Sequence, residues 1–481
     1  MQDFVVLINL DDAVCHALAR RLRAEGVYCR IMPAGVAADE VLRADTRGVI
    51  LACGCSGTAA DIPLMTDYLQ MGLPMLCLGD AALTLCTAVG GELAKAEGGI
   101  VTVAFDPEDD LFSGVEDGER YLPSLCGMSI NADQGDVCAS ADETVIGIHV
   151  RQRNVWGIAL PLERNDPSTA QLLVNFCRDK CGCTLWWSER AFIERAKASI
   201  LEAAGDNEAI CALSGGVDSG VSALLGHLAL GQRLHCIFVD TGLLREGEVE
   251  EVMAAFQQQV GLNVRRVDAR AEFLLALQGV SDPSEKERII RDLLREILQR
   301  EAEALPGVKL LLRGTNYADD PAPEAPLLTG GMPMVEPVKE LFKDEIRHVG
   351  ESLGLPASIT SRQPFPGSGL ASRIMTSVTA ERLAILREAD AIFRQEIEVL
   401  GLQKRLWQYF AALSPSPLPD GGVMIILRAV QATESGSGMP ARLPSDLLER
   451  VTEEILQCCP DVQRVFYDCT PSKTYARLAG K

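Results

Sequence analysis

The sequence predicts an α/β protein: two parallel-sheet α/β domains followed by a small α+β domain. Three observations carry that prediction. Short apolar runs alternate with amphipathic helical stretches, as in βαβ units whose strands are covered on both faces. The alternation begins twice, at Val5 and again at Ala209. A chain of 481 residues also exceeds what one core organises, so roughly two to four domains are expected.

In chain order, Val5–Asn9, Gly48–Cys53 and Met75–Gly79 read as buried strands, with helices over Asp12–Ala24 and Ala81–Val89. From Glu108 to Leu160 the pattern turns antiparallel, because Thr144–His149 and Val155–Leu160 flank the polar turn Arg151-Gln152-Arg153-Asn154. A helix over Glu189–Ala204 leads into the second unit, with strands Ala209–Leu213 and His235–Val239 and a long charged helix over Asp282–Leu305. Arg362–Gly369 holds two prolines and two glycines in eight residues, which breaks regular structure and predicts a linker. Beyond it lie a helix (Thr379–Gly401), a strand (Val423–Ala429), a helix (Ser445–Gln457) and a strand (Val465–Tyr467). The expected domains are 1–188, 189–365 and 366–481.

Composition narrows the class of partner. With 47% hydrophobic and 23% charged residues the chain is a folded globular protein, not a disordered or fibrous one. Lys+Arg of 45 against Asp+Glu of 67 gives a net charge of −22, which repels nucleic-acid phosphates and anionic headgroups. Neither nucleic acid nor membrane is expected as a partner. No apolar run approaches the ~18 residues that a membrane span needs, and Met1–Leu10 reads as a first strand rather than a signal peptide. A cytoplasmic setting with reduced thiols follows. Eleven of the sixteen cysteines precede residue 190, and Cys177, Cys181 and Cys183 are read as buried apolar residues rather than metal ligands.

The chemistry concentrates at Ser214-Gly215-Gly216-Val217-Asp218-Ser219-Gly220, between a strand and a helix. Glycines let the backbone turn tightly and aim successive N–H groups inward, and the following helix start adds positive potential, so the segment forms an anion nest. The hydroxyls of Ser214 and Ser219 can donate to phosphate oxygens, and Asp218 can hold Mg2+ through oxygen. No Gly-Lys-Ser/Thr follows, so this is not a Walker A loop.

The segment resembles the pyrophosphate loop of N-type ATP pyrophosphatases, which split ATP between the α and β phosphates and leave AMP on a substrate oxygen. Downstream, Phe238-Val239-Asp240-Thr241-Gly242-Leu243-Leu244-Arg245, Asp282-Pro283-x2-Lys286, Gly314-Thr315, Glu336 to Glu345, Pro364 to Ala371, Arg428-Ala429-Val430 and Arg442-Leu443-Pro444 follow in the order and spacing of the GMP synthetase family. The resemblance covers essentially the whole chain. It implies a class I glutamine amidotransferase-like domain, an ATP pyrophosphatase domain and a C-terminal dimerisation domain. It also implies ATP and Mg2+, a purine-like small-molecule substrate, ammonia from solution or from a separate ammonia or sulfur donor protein, and a homodimer. By the same likeness Ser214–Gly220 and Gly314 bind ATP, Val239 borders adenine, and Lys343 reaches the phosphates. Asp218 and Lys343 become the catalytic pair, and Arg245, Arg373 and Lys473 the substrate-binding residues.

Four segments depart from the family pattern. An amidotransferase needs a Cys nucleophile on a sharp elbow and a His held by Glu. Here the elbow reads Cys77-Leu78-Gly79-Asp80-Ala81, with glycine at the nucleophile position and an added acid. The second segment reads Leu160-Pro161-Leu162-Glu163, with proline at the His position. Cys77 lies two residues earlier, about 7 Å away along a strand. His149, beside a polar turn, is read as a solvated strand residue. No glutaminase activity is expected. On the substrate side, Pro326 to Pro333 replaces a His-His-Asn-containing stretch, and the tail Ser472–Lys481 keeps Lys473 but loses the family's terminal carboxylates. Arg313 to Asp320 and Leu370 to Ile374 show a weaker likeness to sulfur-inserting pyrophosphatases.

Three functions remain open at this stage. The first is an adenylating ligase of GMP synthetase type acting on xanthosine monophosphate (XMP) or a relative, with ammonia displacing AMP. The second uses the same adenylation to aminate or thiolate a different heterocycle. The third is a nucleotide-binding regulator or scaffold without activity.

Overall fold

The computed structural model describes residues 3–43, 45–122, 124–161, 167–317, 332–363, 365–415, 422–432 and 438–471. It divides into two compact units, Met1–Phe192 and Ile193–Lys481.

The first unit is built on a nine-stranded sheet. Cys29–Pro33, Phe4–Asn9, Thr46–Ala52, Met75–Leu78 and Val155–Ile158 lie side by side in parallel. The sheet continues antiparallel through Thr144–Val150, Asp136–Ala141, Gly99–Phe105 and Gly118–Leu122. The hairpin expected around Arg151–Asn154 is present, and its second strand joins the parallel half to the antiparallel half. Val, Ile and Leu at Val5, Val6, Leu7, Val49, Ile50 and Leu51 are fully buried, which explains why these strands read as continuous apolar runs. The helix Asp12–Ala24 starts where Asp11 accepts hydrogen bonds from the Ala13 and Val14 N–H groups. The helix Asp80–Ala88 follows the strand Met75–Leu78 through a single residue, Gly79.

The second unit holds a five-stranded, wholly parallel sheet in the order Val264–Asp268, Leu234–Asp240, Glu208–Leu213, Val308–Leu312, Met334–Val335. Helices Val217–Leu230 and Pro283–Glu303 sit close to the sequence expectation. A four-stranded sheet follows: Val423–Ala432 pairs antiparallel with Gln408–Pro415 and Gly438–Pro440, and parallel with Val462–Tyr467.

The linker expected at Arg362–Gly369 is corrected by its surroundings. The segment is irregular, as two prolines and two glycines require, but it is not a free tether. The Arg362 guanidinium donates to the Gly215 carbonyl at 3.0 Å, and Leu370 N–H donates to the Leu243 carbonyl at 2.7 Å. One apolar cluster spans both sides of it, from Ile237, Phe273 and Ile290 to Leu386, Phe393, Ile425 and Val451. Lys286, fully buried at the start of its helix, donates to the carbonyls of Ala371, Ile374 and Thr376 at 3.3, 2.6 and 2.6 Å. Three carbonyl acceptors from one irregular stretch satisfy an ammonium that burial would otherwise make costly.

Among the described residues no helix is long and apolar enough to cross a membrane. Nor does any group of three or more His, Cys, Asp or Glu there suit a metal ion. Cys177, Cys181 and Cys183 are buried, and burial pushes their thiols up, Cys183 to about 12.

Candidate active site

The strand Glu208–Leu213 is central in its sheet. The chain leaves it first to one side, for Leu234–Asp240 and Val264–Asp268, and later returns to the other side for Val308–Leu312. The carboxyl end of such a strand is a topological switch point, where open α/β sheets bind ligands. The segment Ser214–Gly220 sits at that end.

Glycine is needed at two places, one in the segment and one packed against it. Gly215 has φ +80°, and a Cβ there would lie 2.7 Å from a Val252 methyl. A Cβ on Gly314 would lie 2.6 Å from the Ser219 nitrogen, so the exit of the neighbouring strand packs directly on the helix start. The Ser214 and Ser219 hydroxyls are 2.9 Å apart, Gly216 N–H donates to Ser214 Oγ at 3.3 Å, and Ser214 N–H donates to Ser219 Oγ at 3.1 Å. Gly216 occupies the cap position of helix Val217–Leu230 and has no side chain to satisfy the first helical N–H groups. An uncapped helix start after a glycine-rich turn suits an anion.

Asp218 projects from the first turn. Its Oδ2 forms a close ion pair with Lys343 Nζ and accepts from Asn316 Nδ2 at 3.3 Å. Its Oδ1 is buried and has no partner among the described residues. Lys343 is the first residue of helix Lys343–Ser352, whose start is fixed by a 2.8 Å bond from Phe342 N–H to the Glu345 carboxylate. An orphaned carboxylate oxygen beside a lysine and a nest of N–H groups fits a divalent cation carried in by a polyphosphate. Mg2+ characteristically takes one or two protein carboxylates and completes its shell with phosphate and water.

The sequence-predicted residues divide into those gathered at this point and those placed elsewhere. Ser214 to Gly220, Gly314, Asp218 and Lys343 converge. Val239 follows Phe238, which pairs with Leu213, so it stands level with Ser214 on the adjacent strand with its side chain buried in the apolar core. Arg245 and Arg373, expected to contact substrate, lie beneath the surface. Both approach Asp390 at 3.2 Å, both stack on the Phe365 ring at 4.5 and 5.0 Å, and Arg373 also covers Phe410. Burial pushes Arg373 down to about 9, against the pull of Asp390 and with the help of Arg245. Both guanidiniums are buried and paired with Asp390, and the Nη2 atoms of Arg245 and Arg373 have no hydrogen-bond partner among the described residues. Lys473, the tail after Pro471, Glu163 and the stretch 326–331 lie outside the described residues. Sequence reasoning missed Asn316 and Arg362, which touch Asp218 and Gly215. Both stand in segments singled out for other reasons, and only the fold shows which loop they meet.

The elbow of the first unit has a different character. Gly79 has φ +65° and ψ −135°, and a Cβ there would fall 2.0 Å from the Cys53 carbonyl oxygen and 2.8 Å from that of Gly54. Asp80 turns its carboxylate onto Ser56 N–H (2.7 Å), Ser56 Oγ (2.6 Å) and Gly57 N–H (3.1 Å). Cys77 is fully buried, which raises its thiol pKa strongly. His149 is not the solvated residue expected. Its Nδ1 meets Asp109 at 2.8 Å, and its ring stacks on Trp156 at 4.1 Å, whose indole N–H donates to the same carboxylate at 2.8 Å. Its register opposite Trp156, itself opposite Leu76, puts His149 on the sheet face away from Cys77.

Residues 395–476 match the family model described as the GMP synthase C terminal domain. Along nearly its whole length the chain is 36% identical over 502 residues to "GMP synthase [glutamine-hydrolyzing]" of Caldicellulosiruptor saccharolyticus, covering 97% of this chain and 98% of the relative. The chain belongs to the GMP synthase family. Relatives of the same name from Clostridium kluyveri and Clostridium perfringens are 35% and 34% identical, each over 98% of both chains. A GMP synthase-type, ATP-dependent ligase accounts for an uncapped helix start whose first-turn carboxylate is paired with a lysine. The relatives' names also say glutamine-hydrolysing, and the closed elbow of this GMP synthase relative is where its structure bears on that second activity.

Proposed function

We propose that the protein binds ATP with Mg2+ at Ser214–Gly220 and transfers AMP to a carbonyl oxygen of a purine nucleotide, XMP, after which ammonia displaces AMP to give GMP, without glutaminase activity of its own. The observation that supports the ligase site is the juxtaposition of Asp218, with its unpartnered oxygen, Lys343 and the uncapped helix start. In the first step the substrate oxygen attacks the α-phosphorus and the bond to the bridging oxygen breaks, leaving pyrophosphate. Inward N–H groups of the loop and the Lys343 ammonium face the charge that grows on that leaving group, which is the main contribution a protein can make to such a transfer. Asp218, itself held by Asn316, keeps Lys343 oriented before ATP arrives. When bound, Mg2+ would be held by Asp218 and would neutralise charge between adjacent phosphates.

Absence of glutaminase is supported by Gly79. No side chain fits there, so no thiol can occupy the elbow, and Asp80 has taken the N–H groups of Ser56 and Gly57 that face it. Ammonia then comes from solution or from a donor protein. We further propose domains at 1–188, 189–365 and 366–481, a cytoplasmic setting, and a homodimer through the C-terminal module.

The altered stretch Pro326 to Pro333 and the tail without terminal carboxylates favour a second reading, in which the same adenylation serves another heterocycle or a sulfur nucleophile. One assay separates them: pyrophosphate, AMP and product are measured with Mg·ATP, ammonium or glutamine, and a panel of purine nucleotides. GMP from XMP and ammonium, with none from glutamine, supports the proposal. Glutamine-driven GMP formation would refute the closed-elbow reading, and turnover only with another acceptor would transfer the function to the second reading.

A further inference from the structure

We propose that Arg362 is a positioning residue for the pyrophosphate loop: it fixes the Gly215–Gly216 peptide and joins that peptide to the buried Arg245–Asp390–Arg373 cluster. The inference rests on the reading of the loop as the ATP site and deepens it. Gly215, at φ +80° and without a side chain, has little of its own to hold its conformation. Its peptide to Gly216 is held at both ends. The carbonyl accepts from Arg362 Nη1 at 3.0 Å, and the N–H donates to Ser214 Oγ at 3.3 Å. Because a peptide is planar, these two bonds set its rotation, and with it the direction in which neighbouring N–H groups of the nest point.

The same guanidinium reaches Glu248 Oε1 at 3.2 Å and Glu251 Oε2 at 3.0 Å. Glu248 Oε2 accepts from Arg245 N–H at 2.9 Å, and Arg245 Nε lies 3.2 Å from Asp390 Oδ2. Asp390 Oδ1 accepts from Arg373 Nη1 at 3.2 Å and from Ala411 N–H at 3.0 Å. A row of polar contacts thus runs from the loop to the strand Gln408–Pro415. Phe365, close after Arg362 in sequence, lies against both the Arg245 and Arg373 guanidiniums, so the segment carrying Arg362 is gripped by the cluster at its far end. One guanidinium serves a carbonyl and two carboxylates at once. A lysine ammonium is a compact point donor and lacks that planar fork.

The test uses the full-length chain and its Arg362→Gln, Arg362→Lys and Asp390→Asn variants. Calorimetry with Mg·ATP is combined with pyrophosphate-release kinetics at varied ATP. Arg362→Gln is expected to weaken Mg·ATP binding and raise KM for ATP about 10-fold or more, with kcat changed less, since small misplacements of positioning groups carry penalties of this size. Arg362→Lys should recover only part of the loss, and added methylguanidinium should restore binding to Arg362→Gln. Asp390→Asn should raise KM less, and its effect should not add to that of Arg362→Gln. Unchanged Mg·ATP affinity in Arg362→Gln, with a lowered melting temperature, would make Arg362 a structural strut and overturn the inference. Additive effects with Asp390→Asn would overturn the connection to the cluster. A wild-type chain that binds no Mg·ATP would instead overturn the reading of the loop itself, and this inference with it.

Discussion

Two strand-to-helix turns, Ser214–Gly220 in the second unit and Cys77–Ala81 in the first, share an architecture and differ in what they leave open. Each follows a buried parallel strand, each has a glycine at positive φ, and each carries an aspartate in the first turn of the next helix. At Ser214–Gly220 the helix start is uncapped and Asp218 Oδ1 has no partner among the described residues. At Cys77–Ala81 the aspartate is closed onto Ser56 and Gly57, and the glycine lies under a carbonyl. Buried polar groups without partners are costly, so a chain keeps them where a ligand supplies what is missing and closes them where none does. On the proposed function, the difference separates a turn kept for chemistry from one whose groups stabilise the fold.

The comparison breaks first if Asp218 proves dispensable. Asp218→Ala should lower pyrophosphate release by about 10³-fold, the upper range for removing one preorganised electrostatic group. Chemical denaturation should show little loss of stability, because the residue that disappears carries an orphaned oxygen and its Lys343 partner is half-exposed. Activity retained alongside a large stability loss would assign Asp218 to the fold.

Next in size is Gly79→Cys, which on sequence alone looks like repair of a lost nucleophile. The new Cβ would overlap the Cys53 carbonyl at 2.0 Å, and the backbone would remain at φ +65°. Strain of this kind is expected to cost about 3 kcal/mol or more, seen as a lower urea midpoint, with no glutaminase gained. Asp80→Ala should cost somewhat less, about 2 kcal/mol, by leaving the Ser56 and Gly57 N–H groups without their acceptor. Ammonia-dependent turnover should be unaffected. Glutamine hydrolysis by either variant would erase the contrast between the two turns.

How much of this was legible beforehand follows from the range of each signal. The glycines, hydroxyls and aspartate of Ser214–Gly220 are contiguous, so the strand-loop-helix turn they form could be read directly, as could the helix Asp12–Ala24 and the glycine at position 79. Arg362 could not be placed, because it meets Gly215 only through the fold, and its Pro- and Gly-rich surroundings read as a linker. The burial of Arg245 and Arg373 could not be foreseen for the opposite reason. Arginine is usually exposed, and nothing local reveals that Asp390 and Phe365 wait for both. His149 was misjudged in the same way: the polar turn beside it suggested solvent, while Asp109 and Trp156 arrive from separate elements.

That cluster supplies the smallest effect and extends the contrast from the elbow to the rest of the first unit. Burial alone would raise the Asp109 carboxyl, but hydrogen bonds from His149, Leu111 N–H and Trp156 bring it down to about 2. An unfolded aspartate titrates near 3.9, so the depressed value contributes stability that is fully present above about pH 4 and is lost as pH falls through about 2. The contribution is about 2 kcal/mol or less once screening is allowed for. Urea midpoints between pH 5 and pH 2 should therefore fall less steeply in Asp109→Asn than in the wild type, while ATP-dependent turnover at neutral pH stays the same in both. If Asp109→Asn leaves the acid limb untouched, or if it removes turnover, the polar groups of this unit serve something other than its own folding, and the distinction drawn between the two turns would have to be redrawn around His149.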